Sequence, residues 1–172
     1  YSAGHDIAEF ARLWPQSEEG AVRRCISAFA KQSKPMVAAV TGAAVGFGAT
    51  MLLHADWVVA GDSAVFKFPF ADLGIVPEAG ATALLARRVG DIVARDWLLS
   101  GHRISADEAL HHRFVSSVKP DADVHAAARD YALCLAAKPT EALQTSRRLL
   151  NEGLTLSASE AIEKEAAYLN SL

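Results

Sequence analysis

Two glycine-containing segments of the chain could place backbone N–H groups against a negatively charged oxygen. They are residues 4–6 (Gly-His-Asp) and 46–48 (Gly-Phe-Gly). Glycine allows close approach to a backbone because it has no Cβ, and a helix that starts at Phe47 would add unpaired donors and the positive end of its dipole. The N–H groups of His5 and Phe47 are therefore candidates for an oxyanion site. Short glycine motifs are common, however, and their spacing alone favours ordinary tight turns.

The carboxylate of Glu78 directly follows Pro77. Proline suits the first position of a helix and acidic residues favour the first turn, so this pair on its own predicts a helix that begins at Pro77. In a mostly apolar pocket, burial would raise the pKa of a glutamate and make it a stronger base. Asp72 is the other carboxylate nearby, and we expect it to face solvent or to cap a turn. The apolar side chains expected around Glu78 are Phe66, Phe68, Phe70, Leu73 and Ile75.

Other kinds of catalytic or binding motif are missing from the sequence. The histidines are scattered, the adjacent His111 and His112 point in different directions on a helix, and no HExxH spacing occurs, so we expect no metal site. No G-x-S-x-G motif is present, and Ser2, His5 and Asp6 are too close in sequence to predict a catalytic triad. The second glycine segment lacks the dinucleotide-binding pattern. A net charge of −3 provides no large basic surface for nucleic acid or for an anionic membrane.

The length and composition fit one domain, or a domain with an appendage, whose core should include Trp97, Leu98 and Leu99. Cys25 and Cys134 are far apart and form no CxxC pattern, which predicts a reduced cytoplasmic protein with packing thiols rather than disulfides. No apolar run reaches transmembrane length, and no signal peptide is visible. The chain opens directly into a motif without an initiator methionine, so we expect a fragment or a trimmed sequence.

The order of the predicted elements divides the chain into an α/β part and a helical part. Short apolar runs predict strands at residues 36–40, 57–60, 65–66 and 114–118. Between them, helices are expected at 49–54, between Pro77 and Gly90, at 91–99, and from a capping-box start at Ser105. After residue 121 only helical patterns remain, at 126–137, 140–151 and 157–169. We therefore predict an α/β core over residues 1–119 and a helical region over residues 120–172.

The glycine segments and several later ones occur in the order found in the enoyl-CoA hydratase/isomerase (crotonase) superfamily, which the chain resembles over nearly its whole length. The matching segments are residues 1–7 (Tyr-Ser-Ala-Gly-His-Asp-Ile), 34–48 (from Lys-Pro to Gly-Phe-Gly), 54–56 (His-Ala-Asp), 73–77 (Leu-Gly-Ile-Val-Pro), 88–90 (Arg-Val-Gly) and 99–109. No single segment is decisive, but the ordered set is highly specific. The resemblance implies a crotonase-like (ClpP/crotonase spiral) α/β core without the family's N-terminal strands. It also implies a C-terminal helical region that joins subunits into a homotrimer or a dimer of trimers.

The resemblance also implies roles for the candidate residues. In the family, the N–H groups at the positions of His5 and Phe47 hold the thioester oxygen of an acyl-CoA and stabilise an enolate, with coenzyme A as part of the substrate and no separate cofactor. The side chains at these positions are free to vary, so His5 is expected to line the pocket or its rim. Family hydratases use two glutamates, and Thr50 and Phe70 stand at those positions here, which argues against hydratase chemistry. The residues expected to line the substrate pocket are Ala3, Gly46, Thr50, Phe70 and Leu73.

The segment around Glu78 instead resembles the Δ3,Δ2-enoyl-CoA isomerase branch, whose single catalytic glutamate stands at this position. The resemblance therefore implies an enzyme that moves a double bond from position 3 to position 2 of an enoyl-CoA, with Glu78 as the catalytic acid and base. An enoyl-CoA hydratase and a non-catalytic acyl-CoA-binding subunit are the alternatives. The pairs Arg87-Arg88 and Arg147-Arg148 could meet the CoA phosphates, but such pairs are more often solvated helix faces.

Overall fold

The computed structural model describes residues 1–6, 8–9 and 20–169. Ile7, the last residue of the first family-like segment, lies outside these ranges. The described residues combine short strands with helices, in agreement with the predicted α/β class. Among the same residues, no helix has both the length and the apolar character that crossing a membrane requires.

The chain divides into two compact units. The first, called the core unit, comprises Tyr1–Gln32 and Met36–Ala132. The second, called the helical unit, comprises Ser33–Pro35 and Leu133–Leu172. The division after Ala132 falls later than the boundary predicted at residue 119, because the helix that follows residue 119 begins against a strand of the core.

Short strands form two sheets in the described part of the chain. In chain order they are β1 (Val37–Val40), β2 (Ala43–Val45), β3 (Trp57–Gly61), β4 (Val65–Lys67), β5 (Ile104–Ser105) and β6 (Ser117–Lys119). One sheet has the order β1-β3-β6 with parallel neighbours; the other has the order β2-β4-β5, with β2 and β4 parallel and β4 and β5 antiparallel. Thr41 and Gly42 separate β1 from β2, and Gly42 has φ +65°, so the chain turns from one sheet to the other at this point.

The helices lie between and after these strands. They are α1 (Ala21–Ala30), α2 (Phe47–Thr50), α3 (Ala81–Val89), α4 (Asp91–Ser100), α5 (Ala106–His111), α6 (Val124–Ala136), α7 (Thr140–Gly153) and α8 (Ala158–Leu169), with 3₁₀ turns at Met51–His54 and Asp121–Asp123. The predicted cap of α5 is confirmed, since the Ser105 Oγ accepts the Glu108 N–H at 3.1 Å. The predicted helix start at Pro77 is wrong. Helix α3 begins after Gly80, which is left-handed, so Pro77 and Glu78 lie in a loop.

An aromatic cluster lies at the centre of the core unit. Phe66, Phe68, Trp97 and Phe114 are each 1% exposed or less. Phe114 meets the other three rings edge to face, with centroids 5.3 Å from Phe66, 5.7 Å from Phe68 and 5.7 Å from Trp97. Edge-to-face pairs stabilise a core beyond the burial of area alone. The cluster therefore fixes β4, which carries Phe66, against α4, which carries Trp97.

A smaller apolar cluster holds the start of α6 on the parallel sheet. Val59 of β3 packs with Val124 and Ala128 of α6. Next to them, the rings of Trp57 and Tyr131 stack with their centroids 4.3 Å apart. These contacts explain why the core unit continues past residue 119.

Three sequence-based expectations about exposure are wrong. Leu99 is 71% exposed, because consecutive residues on a helix point about 100° apart and Leu98 takes the buried direction. Cys25 and Cys134 are exposed free thiols rather than packing residues. Arg88 is hydrogen-bonded to backbone carbonyls instead of lying on a solvated helix face.

In the helical unit, α7 and α8 make polar contacts with each other. The Nζ of Lys164 lies 2.6 Å from the Oε2 of Glu152, and the Arg148 guanidinium lies over the Tyr168 ring, 4.5 Å from its centroid. Neither helix has a fully buried residue among those described, and Ile162 on α8 is 61% exposed. The subunit contacts expected through α8 stay a prediction.

Candidate active site

The first glycine segment lies directly against the second. The Ser2 N–H donates to the Ala43 carbonyl and the Val45 N–H donates to the Ser2 carbonyl, each at 2.9 Å, so Ser2 continues the sheet beside β2. Gly4 has φ +88°, and a Cβ added to it would lie 2.7 Å from the Val45 oxygen and 3.4 Å from the Phe47 nitrogen. Glycine alone suits both the left-handed backbone and this close contact.

The second glycine segment starts helix α2. Gly46, at φ +55°, donates its N–H to the Lys67 carbonyl at 3.0 Å. Its own carbonyl accepts the N–H groups of Ala49 and Thr50, each at 2.9 Å. Phe47 is thus the first helical residue, and the helix itself offers its N–H no carbonyl partner.

Gly48 completes the contact between the two segments. A Cβ at this position would clash with the Ser2 carbonyl oxygen and would lie 2.8 Å from the Ser2 Cβ. Helix α2 can therefore start this close to the N-terminal segment only with glycine here. The predicted oxyanion residues, His5 and Phe47, come together because each is adjacent to one of these contacting glycines.

The side chains of His5 and Phe47 also contact each other. Their rings stack with centroids 5.3 Å apart and planes inclined by 22°. Phe29 of α1 meets Phe47 edge to face, with centroids 6.1 Å apart. Aromatic packing therefore holds the imidazole of His5 against the residue that begins α2.

Glu78 reaches the same place from the loop before α3. Its Oε2 lies 3.7 Å from the Nε2 of His5, and the side chains of His5 and Glu78 are 29% and 17% exposed. Burial raises the pKa of the Glu78 carboxyl above its ordinary value, and the charge of His5 opposes this rise. A carboxyl with a raised pKa is suited both to take and to return a proton. The structure thus brings together His5, Phe47 and Glu78, three residues selected from the sequence.

The backbone after Glu78 has an unusual conformation that a histidine supports. Ala79 is buried and has φ +54°, in the left-handed region that favours glycine. The Nε2 of His54 lies 2.9 Å from the Ala79 carbonyl oxygen. Because a carbonyl oxygen only accepts, the Nε2 of His54 carries the proton of this hydrogen bond. His54 therefore holds the residue next to Glu78 in place.

Arg88 of α3 in turn fixes the 3₁₀ turn that carries His54. Its guanidinium donates to the carbonyls of Leu52, Leu53 and Ala55 at 2.9, 3.1 and 2.9 Å. Carbonyls at the end of a helical turn lack partners within the turn, and Arg88 supplies them. Burial lowers the pKa of the Arg88 guanidinium, although a nearby carboxylate opposes the shift. Sequence reasoning placed His54 and Arg88 in the family pattern but did not find this support of the Glu78 loop.

The other residues expected to line the pocket differ in exposure. Thr50 and Phe70 are 0% and 3% exposed, and neither can act as a carboxylate. Leu73 is 47% exposed. Ala3 is exposed and Gly46 half-buried. The positions at which family hydratases carry glutamates are therefore buried here and hold groups that do not titrate.

Asp72 and two of the phenylalanines expected around Glu78 make contacts with other residues. Asp72 is 49% exposed and pairs with Lys67, with 3.0 Å between Oδ2 and Nζ, so it does face solvent. Phe66 and Phe68 make their aromatic contacts within the core cluster, with Phe114 and Trp97.

Across the described ranges, no group of three or more His, Cys, Asp or Glu side chains could hold a metal ion.

Comparison with known proteins identifies the family to which the chain belongs. Residues 1–172 match the family model described as enoyl-CoA hydratase/isomerase. The chain belongs to the enoyl-CoA hydratase/isomerase family. Its fold is similar to that of enoyl-CoA hydratase subunit I from Geobacillus kaustophilus HTA426, with a TM-score of 0.88 and 31% identity over 98% of this chain and 66% of that one. The predicted crotonase-like α/β fold is confirmed.

Individual relatives carry names for different reactions. "Probable enoyl-CoA hydratase EchA17" of Mycobacterium tuberculosis is 33% identical over 168 residues, which is 96% of this chain and 64% of that protein. The "1,2-epoxyphenylacetyl-CoA isomerase" of Escherichia coli K12 is 34% identical over 81% of this chain and 53% of that protein. The "2,3-dehydroadipyl-CoA hydratase" of the same strain is 38% identical over 77% of this chain and 52% of that protein. The chain spans less than two thirds of the length of these relatives, and their names include both hydratases and an isomerase.

Proposed function

We propose that the protein is an acyl-CoA enzyme that moves a double bond from position 3 to position 2 of an enoyl-CoA. The observation that carries the proposal is the position of Glu78. Its half-buried carboxylate lies 3.7 Å from the imidazole of His5, whose backbone adjoins the glycine contact with Phe47. Thr50 and Phe70 stand at the positions of the hydratase glutamates, so neither position adds a second carboxylate to Glu78.

The proposed reaction uses one residue for both proton transfers. The thioester oxygen accepts hydrogen bonds from the N–H groups of His5 and Phe47, and the charge stabilised there makes the C2 proton acidic enough to leave. Glu78 takes this proton, and the resulting dienolate carries negative charge from the oxygen to C4. Glu78 then returns the proton at C4, which leaves the double bond between C2 and C3. No water is added, so no second carboxylate is needed to position one.

The environment of Glu78 supports this role and predicts a pH dependence. Burial raises the pKa of its carboxyl, which makes the carboxylate a stronger base. The resting enzyme needs the ionised form, however. Activity is therefore expected to fall as the pH decreases through the pKa of Glu78.

A second candidate function is hydration of a 2-enoyl-CoA. Hydration needs one group that takes a proton from water and another that gives a proton to C2. The contact between His5 and Glu78 supplies two titratable groups, and two of the relatives described above carry hydratase names. Isomerisation remains the preferred proposal because neither Thr50 nor Phe70 is a glutamate.

The proposal extends to the assembly and the location of the protein. A homotrimer or a dimer of trimers would cover apolar side chains of α8 such as Ile162 and Leu169, which are 61% and 70% exposed. A cytoplasmic location fits two exposed free cysteines, because thiols persist in reducing compartments.

The third candidate function is an acyl-CoA-binding subunit without catalysis.

The test compares Glu78→Gln with Asp72→Asn. Each variant replaces a carboxylate by an amide of the same shape, and Asp72 serves as the matched control because it pairs with Lys67. We expect Glu78→Gln to lower the conversion of 3-enoyl-CoA to 2-enoyl-CoA by about 10²- to 10⁴-fold. Asp72→Asn should retain the activity, and both variants should bind a saturated acyl-CoA as the parent does.

Each result distinguishes the three candidate functions. Full isomerase activity in Glu78→Gln would remove Glu78 from the mechanism. Hydration of 2-enoyl-CoA by the parent, without conversion of the 3-enoyl substrate, would favour the hydratase. Binding of acyl-CoA with neither reaction, across several chain lengths, would favour the non-catalytic subunit.

A further inference from the structure

We propose that the side chain of His5 is the charge partner of Glu78: as an imidazolium it keeps the carboxylate ionised and in place. The inference rests on the proposed function, because it gives His5 this role only where Glu78 is the catalytic base. Its basis is the 3.7 Å separation between the Nε2 of His5 and the Oε2 of Glu78. One residue would then contribute twice, through its backbone N–H to the thioester oxygen and through its imidazole to the base.

The position of the imidazole is set by the same contacts that form the oxyanion segment. The backbone before His5 is constrained at Gly4, where a Cβ would meet the Val45 oxygen. The His5 ring stacks on Phe47 with 5.3 Å between centroids. The imidazole is therefore held beside Glu78 by packing, and not by the ion pair alone.

Other titratable groups near the pair are engaged in different contacts. The Oδ1 of Asp6 accepts the N–H groups of Ala8 and Glu9 at 2.9 and 3.0 Å. His54 donates to the Ala79 carbonyl. Within the described part of the chain, the ion pair that Glu78 forms is with His5. A change of charge at residue 5 should therefore act on Glu78 more strongly than a change at either neighbour.

A positive partner matters because Glu78 is shielded from water. Its side chain is 17% exposed, and burial by itself raises the pKa of its carboxyl. Without compensation, a larger fraction of the enzyme would be protonated at Glu78 at a given pH, and thus inactive as a base. The imidazolium opposes that loss while leaving the carboxylate in a site that favours proton transfer.

The experiment changes the charge of residue 5 while keeping its backbone N–H. His5→Gln removes the charge, His5→Lys retains a cation, and His125→Gln changes an exposed histidine of α6 as the control. The dependence of kcat/KM on pH is measured with a 3-enoyl-CoA. We expect His5→Gln to move the low-pH decline of kcat/KM, the acid limb, upward by about one pH unit. This shift is small for the loss of an opposite charge at this distance, because both side chains keep some contact with solvent.

The sign of the effect follows from the role of Glu78. Loss of a neighbouring positive charge destabilises the carboxylate, raises its pKa, and lowers the rate at pH values below the limb by about tenfold. The readout is the position of the limb and not the height of the plateau, because the His5 ring also packs on Phe47. His5→Lys should keep the limb at or below its position in the parent, and His125→Gln should reproduce the parent.

Carbon-13 NMR of the labelled glutamate side chains in the resting protein provides a readout that does not need turnover. The Glu78 resonance is assigned as the one that is missing from the spectrum of Glu78→Gln. It should titrate at higher pH in His5→Gln than in the parent. An unchanged titration and an unchanged acid limb in His5→Gln would overturn the charge-partner role. If Glu78→Gln is inactive in the same experiments, the proposed function stands without it, whereas a fully active Glu78→Gln would overturn the proposed function itself.

Discussion

The two halves of the candidate site are held in different ways. The backbone half consists of residues 2–5 and 45–48, and glycines hold it together at points where a Cβ would meet another backbone atom. The carboxylate half is the loop of residues 77–80, and side chains from elsewhere in the chain hold it: His54 binds the Ala79 carbonyl and Arg88 fixes the turn that carries His54. The backbone half depends on the absence of a Cβ at its glycines, and the carboxylate half depends on hydrogen bonds from distant side chains.

This difference predicts how each half tolerates substitution. A Cβ added at a glycine contact has no room and must push two segments apart, so small changes in the backbone half should have large effects. In the carboxylate half, the loss of one supporting side chain leaves the backbone free to move, and the damage should be graded.

The largest effect is expected for Gly48→Ala. The new Cβ would clash with the Ser2 carbonyl oxygen, which also accepts the Val45 N–H. Displacement of this segment would misplace a proposed oxyanion donor, and loss of such a donor typically costs about 10²- to 10³-fold in kcat. Overpacking of this kind also destabilises a fold by about 1–3 kcal/mol. Enoyl-CoA turnover and thermal unfolding measure the two effects.

Gly153→Ala is the matched control for Gly48→Ala. Gly153 ends α7 and an added Cβ there meets no atom within 4 Å. Alanine is the better helix former, so this variant should keep its activity and lose no stability. Equal behaviour of the two variants would contradict the claim that the close approach of Ser2 to Gly48 organises the backbone half.

The two segments of the backbone half could be selected from sequence because they occur in the order of the family's motifs, whereas glycine spacing alone favours ordinary turns. The fold brings residues 4–6 and 46–48 together, since a Cβ at Gly4 would approach the Val45 oxygen and the Phe47 nitrogen. The strands β1, β3 and β4 were likewise predicted from short apolar runs. The Ser105 cap of α5 was visible because a serine followed by a glutamate three residues later has a local physical meaning.

The carboxylate half could not be predicted in the same way. Pro77 followed by Glu78 satisfies the local rules for a helix start, yet Ala79 and Gly80 both adopt positive φ and delay the helix to Ala81. No rule of spacing links His54 to Ala79, because the contact depends on how the 3₁₀ turn packs against the loop. Strand β2 was missed because its three residues lie between two glycines and read as part of a turn.

A smaller effect is expected for His54→Ala. The change removes the donor to the Ala79 carbonyl, and an unsatisfied buried carbonyl costs about 1–3 kcal/mol. A looser Glu78 loop should lower kcat by about tenfold, since small displacements of a catalytic group reduce the rate. Binding of a saturated acyl-CoA should be unchanged, because the backbone half is not altered.

Two controls test whether His54 acts by positioning Glu78. His54→Gln keeps a donor and should recover part of the activity lost in His54→Ala. His125→Ala removes an exposed histidine of α6 and should behave as the parent. A fall in acyl-CoA affinity equal to the fall in kcat/KM, with kcat unchanged, would contradict a role confined to the carboxylate half.

The smallest effect is expected for Ala79→Gly, and its comparison with Ala79→Val tests the backbone conformation directly. Ala79 has φ +54° and is 7% exposed. Glycine relieves about 1 kcal/mol of left-handed strain but removes a buried methyl group, whose burial is worth about as much. The two terms oppose each other, so Ala79→Gly should change the free energy of unfolding by less than about 1 kcal/mol.

Valine is larger and β-branched, and such residues are rarely found in the left-handed region. Ala79→Val should therefore be clearly less stable than the parent and than Ala79→Gly. Chemical denaturation measures all three proteins. If valine were tolerated as well as glycine, the loop would not need the left-handed residue that presents the Ala79 carbonyl to His54, and the carboxylate half would have to be held by other contacts.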